Sequence, residues 1–432
     1  MSDDDGSTPA PPEEVEPIES ITLEDVELAP VTLRWGRVAL LFLIAATAVA
    51  FVGLGSEGRA SGVLGALGAG VERIGEETSS IWDGTRSALQ DAATLEPEPA
   101  GVAAPAGSFS TAIVVEDGDG VAASILLAVA DPSGAATLVV FPASLATTVP
   151  GYGDFPLSET ARFEDAALTA ITLTNLLGVR IDATVGLTAE DLMLAVSSPV
   201  SVDLPTEVVV PAGDGGTVLA ERGVALLQPS LLAAILLTQG ESDELAWLER
   251  QGAVWEALFT SDDVAGLIAA LDAKAGPGED AVPALLAVAA GSPLTVSGPP
   301  LTAIGIGTDE QLVLRGADAD SFVLSRMAHL LIREGPRPRV EVLNGNGRTQ
   351  TTRLVAETLV RRGFKVIKTD NADSFDYRDS RVIAQGRGNR LPGAEIVELL
   401  GVGQLELEVR APSGVVDVSI IVGQDIPIGE SS

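Results

Sequence analysis

Two Asn-Gly pairs, Asn344-Gly345 and Asn346-Gly347, separate a strand-like apolar stretch from a helix-like pattern in "RVEVLNGNGRTQTTRLVAETLVRRGF", a setting in which glycine turns often cradle phosphate. The stretch lacks both the GxxxxGK pattern and the wider GxGxxG spacing, so a nucleotide is not its expected ligand. Two readings stand: a tight strand-to-helix turn, or a helix N-terminus that attracts an anionic sugar or carboxylate. Asp117 and Asp119 flank Gly118 as in a calcium loop, but the remaining ligand positions and closing glutamate are missing, which leaves a hairpin turn. The single histidine, His329, lies in "SRMAHLLIRE" and reads as an amphipathic-helix residue near a domain end. One imidazole excludes a multi-histidine metal site, and the absence of cysteine excludes disulfides, thiolate nucleophiles and zinc-cysteine sites together. No metal ligands are assigned.

The elements that would position these residues alternate. "STAIVV", "SILLAVA" and "ATLVVF" predict three buried strands, and "FEDAALTAITLTNLLG" predicts a helix closed by Gly178. Strand character resumes in "DATVGLT" and "VSVDLP". Two further helices follow, "LLQPSLLAAILLTQ", whose aliphatics read as core or, alternatively, as the lining for a lipid chain, and "SDELAWLERQGAVWEALF", which buries Trp247 or Trp255. After the proline-punctuated "IREGPRPR", strands and helices alternate again, with Gly363 and Gly401 just past helix ends. The fold class is α/β, in α+β layers.

Charge is distributed unevenly. Residues 1–33 carry ten acidic side chains and no basic one, residues 34–332 carry 37 acidic and 12 basic, and residues 333–432 carry 14 of each. A body this acidic has no basic patch with which to displace counterions from phosphates, so nucleic acid is not an expected partner. Val38 to Leu54, "VALLFLIAATAVAFVGL", is 17 uncharged residues with Trp35 at its leading edge, and predicts one transmembrane helix. The leader before it is long and acidic, unlike a cleaved signal peptide, and too rich in proline and too poor in apolar residues to fold alone. The expectation is an uncleaved anchor in the cell membrane, with the N-terminus cytoplasmic and the rest extracytoplasmic. That placement also removes nucleotides as ligands.

The order of features from "DPSGAATLVVF" through "TTVPGYG" to "LTNLLGVRID" resembles the catalytic domain of the LytR-CpsA-Psr (LCP) family, over roughly Phe109 to Thr260. That resemblance implies a membrane-anchored protein that moves glycopolymers from polyprenyl pyrophosphate carriers to peptidoglycan, with arginines on the pyrophosphate and aspartates on a magnesium ion. Here Ala143 and Ser144 stand where the family has an Arg-Asp pair, and the aspartate expected before the second strand falls near Ala123. Leu237 and Gln239 take the places of paired arginines, and Trp247 that of another. Arg250 and Gln251 alone match, and Arg250 itself reads as a surface or ion-pair residue. Four lost charge-assisted donors remove roughly 6 to 12 kcal/mol of phosphate stabilisation, less any non-additivity. At about 1.4 kcal/mol per decade, even the lower figure exceeds a ten-thousandfold loss. The expectation is therefore a non-catalytic binding or scaffolding protein of cell-wall glycopolymer assembly, without a cofactor, whose partner is a wall polymer or an envelope protein.

The alternative is an active phosphotransferase, magnesium-dependent, whose site draws on Arg162, Arg180, Arg222, Arg250 and Gln251. These residues are separated by strands and act together only if the fold brings them to one cleft. The segment "VEVLNGNG...VGQD" closely resembles the LytR C-terminal domain. A transcriptional regulator, which the family's naming suggests, conflicts with the charge and topology. The resulting division is an acidic cytoplasmic tail (1–34), a transmembrane helix (35–56), a helical stalk and linker (57–108) and an LCP-like αβα domain (109–332). A hinge (333–339) and a small C-terminal α/β domain (340–427) complete it.

Overall fold

The computed structural model describes residues 108–426, apart from 134, 213–214, 276–284, 286–293, 306–310 and 410–413. The acidic tail, the transmembrane helix and the stalk expected up to residue 107 lie outside the described residues. Among the described residues no helix is long and apolar enough to cross a membrane.

The apolar runs of the first lobe become the middle of a sheet. Strands β1 (Phe109–Glu116), β2 (Ala122–Ala130) and β3 (Ala136–Phe141) pair antiparallel, with turns at the two aspartate-containing loops. All nine residues of β2 are buried, as a continuous apolar run requires when both faces of its sheet are covered. A small hairpin, β4 (Ala146–Val149) and β5 (Gly153–Pro156), leads into helices α1 (Glu159–Phe163) and α2 (Ala166–Leu177). Asp165 caps α2 by accepting from the amide of Ala167 at 2.8 Å, and Gly178 ends it at φ 76°, a left-handed conformation that a Cβ resists. Strand β6 (Ala183–Thr188) adds parallel to β1, and a capping box at Thr188 and Asp191 opens α3 (Ala189–Ala195).

Strands β7 (Val200–Leu204), β8 (Val208–Ala212), β9 (Gly215–Ala220) and β10 (Gly223–Leu227) form two small antiparallel sheets, β7 with β10 and β8 with β9. Helices α4 (Pro229–Leu237), α5 (Glu244–Thr260) and α6 (Val264–Lys274) follow. Strand β11 (Leu294–Ser297) then pairs parallel to β3 and gives the order β11-β3-β2-β1-β6. A hairpin of β12 (Leu301–Ile304) and β13 (Gln311–Leu314) and helix α7 (Gly316–Arg326) close the lobe.

One face of the sheet, through Ile113, Leu126 and Val140, packs on residues of α3 to α6. The other, through Val114, Leu127 and Phe141, packs on α1, α2 and α7. The result is three layers, αβα. Leu232, Ala233, Ile235 and Leu236 of α4 belong to the first core, as do Trp255, Leu258 and Phe259 of α5.

The helix expected through "SRMAHLLIRE" is shorter. It ends at Arg326, and Ala328–Leu330 is a single 3-10 turn. The chain leaves the helix because Leu331 bridges Val179, and the amides of Arg180 and Ile332 bond Leu330 and Gly178 across that contact.

The second lobe is mixed α/β. It comprises β14 (Arg339–Asn344), α8 (Thr349–Arg361), β15 (Lys365–Asn371), β16 (Arg381–Gln385), α9 (Arg390–Leu400), β17 (Gln404–Glu408) and β18 (Val418–Val422). Its sheet runs β15-β14-β18-β16-β17, with only β16 and β18 antiparallel. Both lobes belong to one compact unit of the chain. Ile171 of α2, in the first lobe, is part of the core of the second. Gly151, in the β4–β5 turn at φ +87°, lies so near α8 that an added Cβ would stand 2.6 Å from the Cα of Arg353.

Candidate functional site

The positions at which the sequence lacks the expected phosphate-binding groups come together. Ala123 enters on β2, Ala143 follows β3, Leu237 ends α4 and Trp247 stands in the first turns of α5; the four pack as one small apolar cluster. Ala123 and Trp247 are each 7% exposed and Ala143 9%, so the cluster is nearly closed to water. The indole N–H of Trp247 donates to the carbonyl of Ile235 at 3.1 Å, which fixes the ring in place. Ser144 keeps its side chain outside, while its amide donates to a carboxylate oxygen of Glu244 at 3.2 Å.

Gln251 and Arg250, the two matching residues, are held below this cluster. The amide of Gln251 donates to the carbonyls of Ala123 and Leu236, each at 3.0 Å, and accepts from the Ser124 hydroxyl, which in turn accepts from Trp255 Nε1 at 3.1 Å. All of these side chains are buried, so the network satisfies polar atoms that would otherwise be costly.

Arg250 corrects the sequence reading. It is fully buried, and its guanidinium donates to the carbonyl of Gln239 at 2.8 Å, the hydroxyl of Ser242 at 2.7 Å and that of Thr206 at 3.1 Å. Burial depresses its pKa, opposed by the charge of Asp243. The spacing Trp247, Arg250, Gln251, Val254, Trp255, Leu258 explains the burial, because every member lies on the inward face of α5. That periodicity was readable in the sequence.

The other arginines stay apart. Arg162 is exposed and 3.5 Å from Glu159. Arg180 pairs with Asp182 and donates to the carbonyl of Ser108 at 3.1 Å. Arg222 is exposed in the turn before β10. No two of Arg162, Arg180, Arg222 and Arg250 share a hydrogen-bond or ion-pair partner among the described residues.

Magnesium does not fit the convergent cluster, whose alanines, leucine and tryptophan supply no oxygen ligand beyond backbone. Among the described residues no group of three His, Cys, Asp or Glu side chains is placed to hold a metal ion.

At Asn344 to Gly347 the turn is occupied by its own fold. The Gly345 amide bonds the carbonyl of Val422 at 3.0 Å, Asn344 Oδ1 accepts from the Asn346 amide at 3.3 Å, and Asn346 Oδ1 accepts from the Arg348 amide at 2.9 Å. Asn346 Nδ2 adds a bond to the carbonyl of Gly423 at 2.7 Å. A Cβ on Gly345 would meet Ile421 at 2.7 Å. The Gly345 amide and the Asn346 side chain hold the strand-to-helix turn against the end of β18, and the Asn346 and Arg348 amides are used within the turn.

Residues 337–425 match the family model described as LytR cell envelope-related transcriptional attenuator. No curated relative matches the chain. Among solved structures, Bacillus subtilis TagV is 13% identical over 52% of this chain and 97% of its own, at a TM-score of 0.42. A LytR-Csp2A-Psr enzyme from Actinomyces oris is 15% identical over 53% of this chain and 92% of its own, also at 0.42. A TagT structure with bound octaprenyl pyrophosphate lipid is 16% identical over 52% of this chain and 90% of its own, at 0.39. By the family match and the resemblance of its motifs, the segment from Arg337 to Asp425 is a LytR C-terminal domain.

Proposed function

We propose that this chain is an extracytoplasmic cell-envelope protein, anchored by the 35–56 helix with its N-terminus in the cytoplasm, whose first lobe binds or scaffolds in wall-polymer assembly and transfers nothing. The observation that carries this reading is the apolar cluster of Ala123, Ala143, Leu237 and Trp247. A diphosphate needs positioned cations, and these four side chains offer none. Arg250, on the same helix as Trp247, is fully buried, and its Nη1 and Nη2 donate to Thr206, Gln239 and Ser242. The envelope assignment is supported by the family of the second lobe, whose description also contains the words transcriptional attenuator. The acidic balance of the chain, net −35, argues against direct contact with nucleic acid.

The test is a titration of the full chain in detergent with a polyprenyl pyrophosphate, with and without magnesium. No saturable binding is expected; tight, magnesium-dependent binding defeats the proposal. Topology is tested separately. The chain has no cysteine, so single replacements at Ser7 and at exposed Ser325 can each be probed with an impermeant maleimide on intact cells. Labelling at 325 and not at 7 is the expected pattern, and the reverse overturns the orientation.

A further inference from the structure

Helix α5 has a second face. Opposite the buried side that carries Trp247 and Arg250, residues Leu245, Leu248, Glu249, Gly252, Ala253 and Glu256 recur at helical spacing and line an open groove of about 600 Å³. Its other wall is β11, the edge strand of the five-stranded sheet, through Val296 and Ser297, with Leu301 beyond it. The floor is low because position 252 is glycine: an added Cβ would stand 3.2 Å from Val296 Cγ1. Leu245 is 49% exposed, an apolar side chain left to solvent at the groove's mouth.

The groove's charge is of one sign. Asp203, Glu249 and Glu256 lie along it, and no lysine, arginine or histidine lines it. Ser297 lines it too, its hydroxyl buried and without a hydrogen-bond partner among the described residues. An anionic lipid or nucleic acid is repelled by such a rim. Glu249 and Glu256 are seven residues apart on one helix, so their charges repeat at about 10 Å along the groove. A second helix laid beside α5 repeats its own side chains at that distance between positions i and i+7.

We infer that this groove is a docking site for a basic amphipathic helix of a partner protein, with aliphatic side chains seated between α5 and β11 and Lys or Arg seven residues apart facing Glu249 and Glu256. Charge complementarity selects the occupant, and the groove shares no lining residue with the apolar cluster of Ala123, Ala143, Leu237 and Trp247. Its occupancy is therefore independent of whether the first lobe holds a diphosphate.

The probe is an 18-residue helical Leu-Lys peptide with lysines at i and i+7, measured by fluorescence anisotropy against the full chain in detergent at 0.15 M salt. Saturable binding is expected, weakened at least tenfold for a peptide of the same composition in scrambled order and for one with Glu in place of Lys. The double variant Glu249→Lys/Glu256→Lys is expected to lose at least tenfold, and so is Leu245→Asp, while circular dichroism stays unchanged. A control reversal of exposed acids elsewhere, Asp272→Lys/Glu334→Lys, is expected to change binding less than twofold. Equal losses in control and groove variants would show attraction to the diffuse acidic field and overturn the proposal. So would absence of binding, or sedimentation showing that a second copy of the chain occupies the groove through the same residues.

Discussion

The side-chain amide of Asn175 pairs with the backbone of Val366 on both sides: Nδ2 donates to the Val366 carbonyl at 2.8 Å, and Oδ1 accepts from the Val366 amide at 2.8 Å. Asn175 lies in the last turn of α2, and Val366 lies on β15, the edge strand of the other lobe, so a side chain takes the place of a neighbouring strand. Replacing Asn175 with Leu keeps the apolar contact and strands both groups of Val366 in a buried setting. The expected cost is about 2 to 4 kcal/mol, from two orphaned polar groups. Urea denaturation of the chain measures it, and hydrogen exchange is expected to show lost protection over Lys365–Asn371. Unchanged stability would mean that the lobes are held elsewhere.

Arg353 and Glu164 form the ion pair across the same contact, with side chains 11% and 14% exposed. Burial raises the Glu164 pKa while the charge of Arg353 opposes the rise, and Arg353 also holds Glu357 at 3.0 Å. Removing Arg353 takes the cation from the nearly buried Glu164 carboxylate, whereas removing Glu164 leaves Arg353 paired with Glu357. Arg353→Met is expected to cost about 3 to 5 kcal/mol, and the double variant with Glu164→Gln less than the single one. A double-mutant cycle with no coupling between the two would count against the pair.

His329 sets a pH dependence that its being the only histidine makes readable. Burial lowers its pKa below 6.5, offset in part by the Ala130 carbonyl and by Asp131. With the folded value depressed, the unfolded chain takes up the proton first. The stabilising contribution is full above pH 6.5 and is lost as pH falls through the folded value. Glu116 and Glu164, whose pKa values are raised, act with the opposite sign as pH falls toward 4.5. The contribution is therefore read as the difference between the chain and His329→Gln. That difference is expected to shrink on acidification below 6.5, and the single imidazole resonance is expected to titrate with a midpoint under that value.

Trp247→Arg places a cation back where the resemblance calls for one. The expected result is no binding of polyprenyl pyrophosphate and a loss of about 3 kcal/mol or more, since the indole's buried volume and its bond to Ile235 go together. Thermal unfolding and the titration described above measure the two effects, and a gain of binding would overturn the reading of the cluster.

Much of this architecture was legible residue by residue. The apolar runs of β1 to β3 and the glycines at 178 and 401 mark elements that local rules decide, and both glycines adopt the left-handed helix end. The convergence of Ala123, Ala143, Leu237 and Trp247 is readable only through the order of motifs, because no local spacing joins the first two to the last two. Arg250 departs from the surface or ion-pair expectation because its position outweighs its charge: between Trp247 and Val254 it has to point inward. Asn175 gave no signal at all. An asparagine near a helix end is ordinary, and its partner lies 191 residues later. The groove beside α5 is likewise a tertiary fact, since the spacing of Leu245 and Leu248 shows a stripe but not that it is left uncovered.

The indole that fills the cluster is hydrogen-bonded into its seat and flanked by two alanines and a leucine from three other elements. A charged side chain put at one of these positions alone would sit among hydrocarbon, so a cation here needs a compensating change beside it.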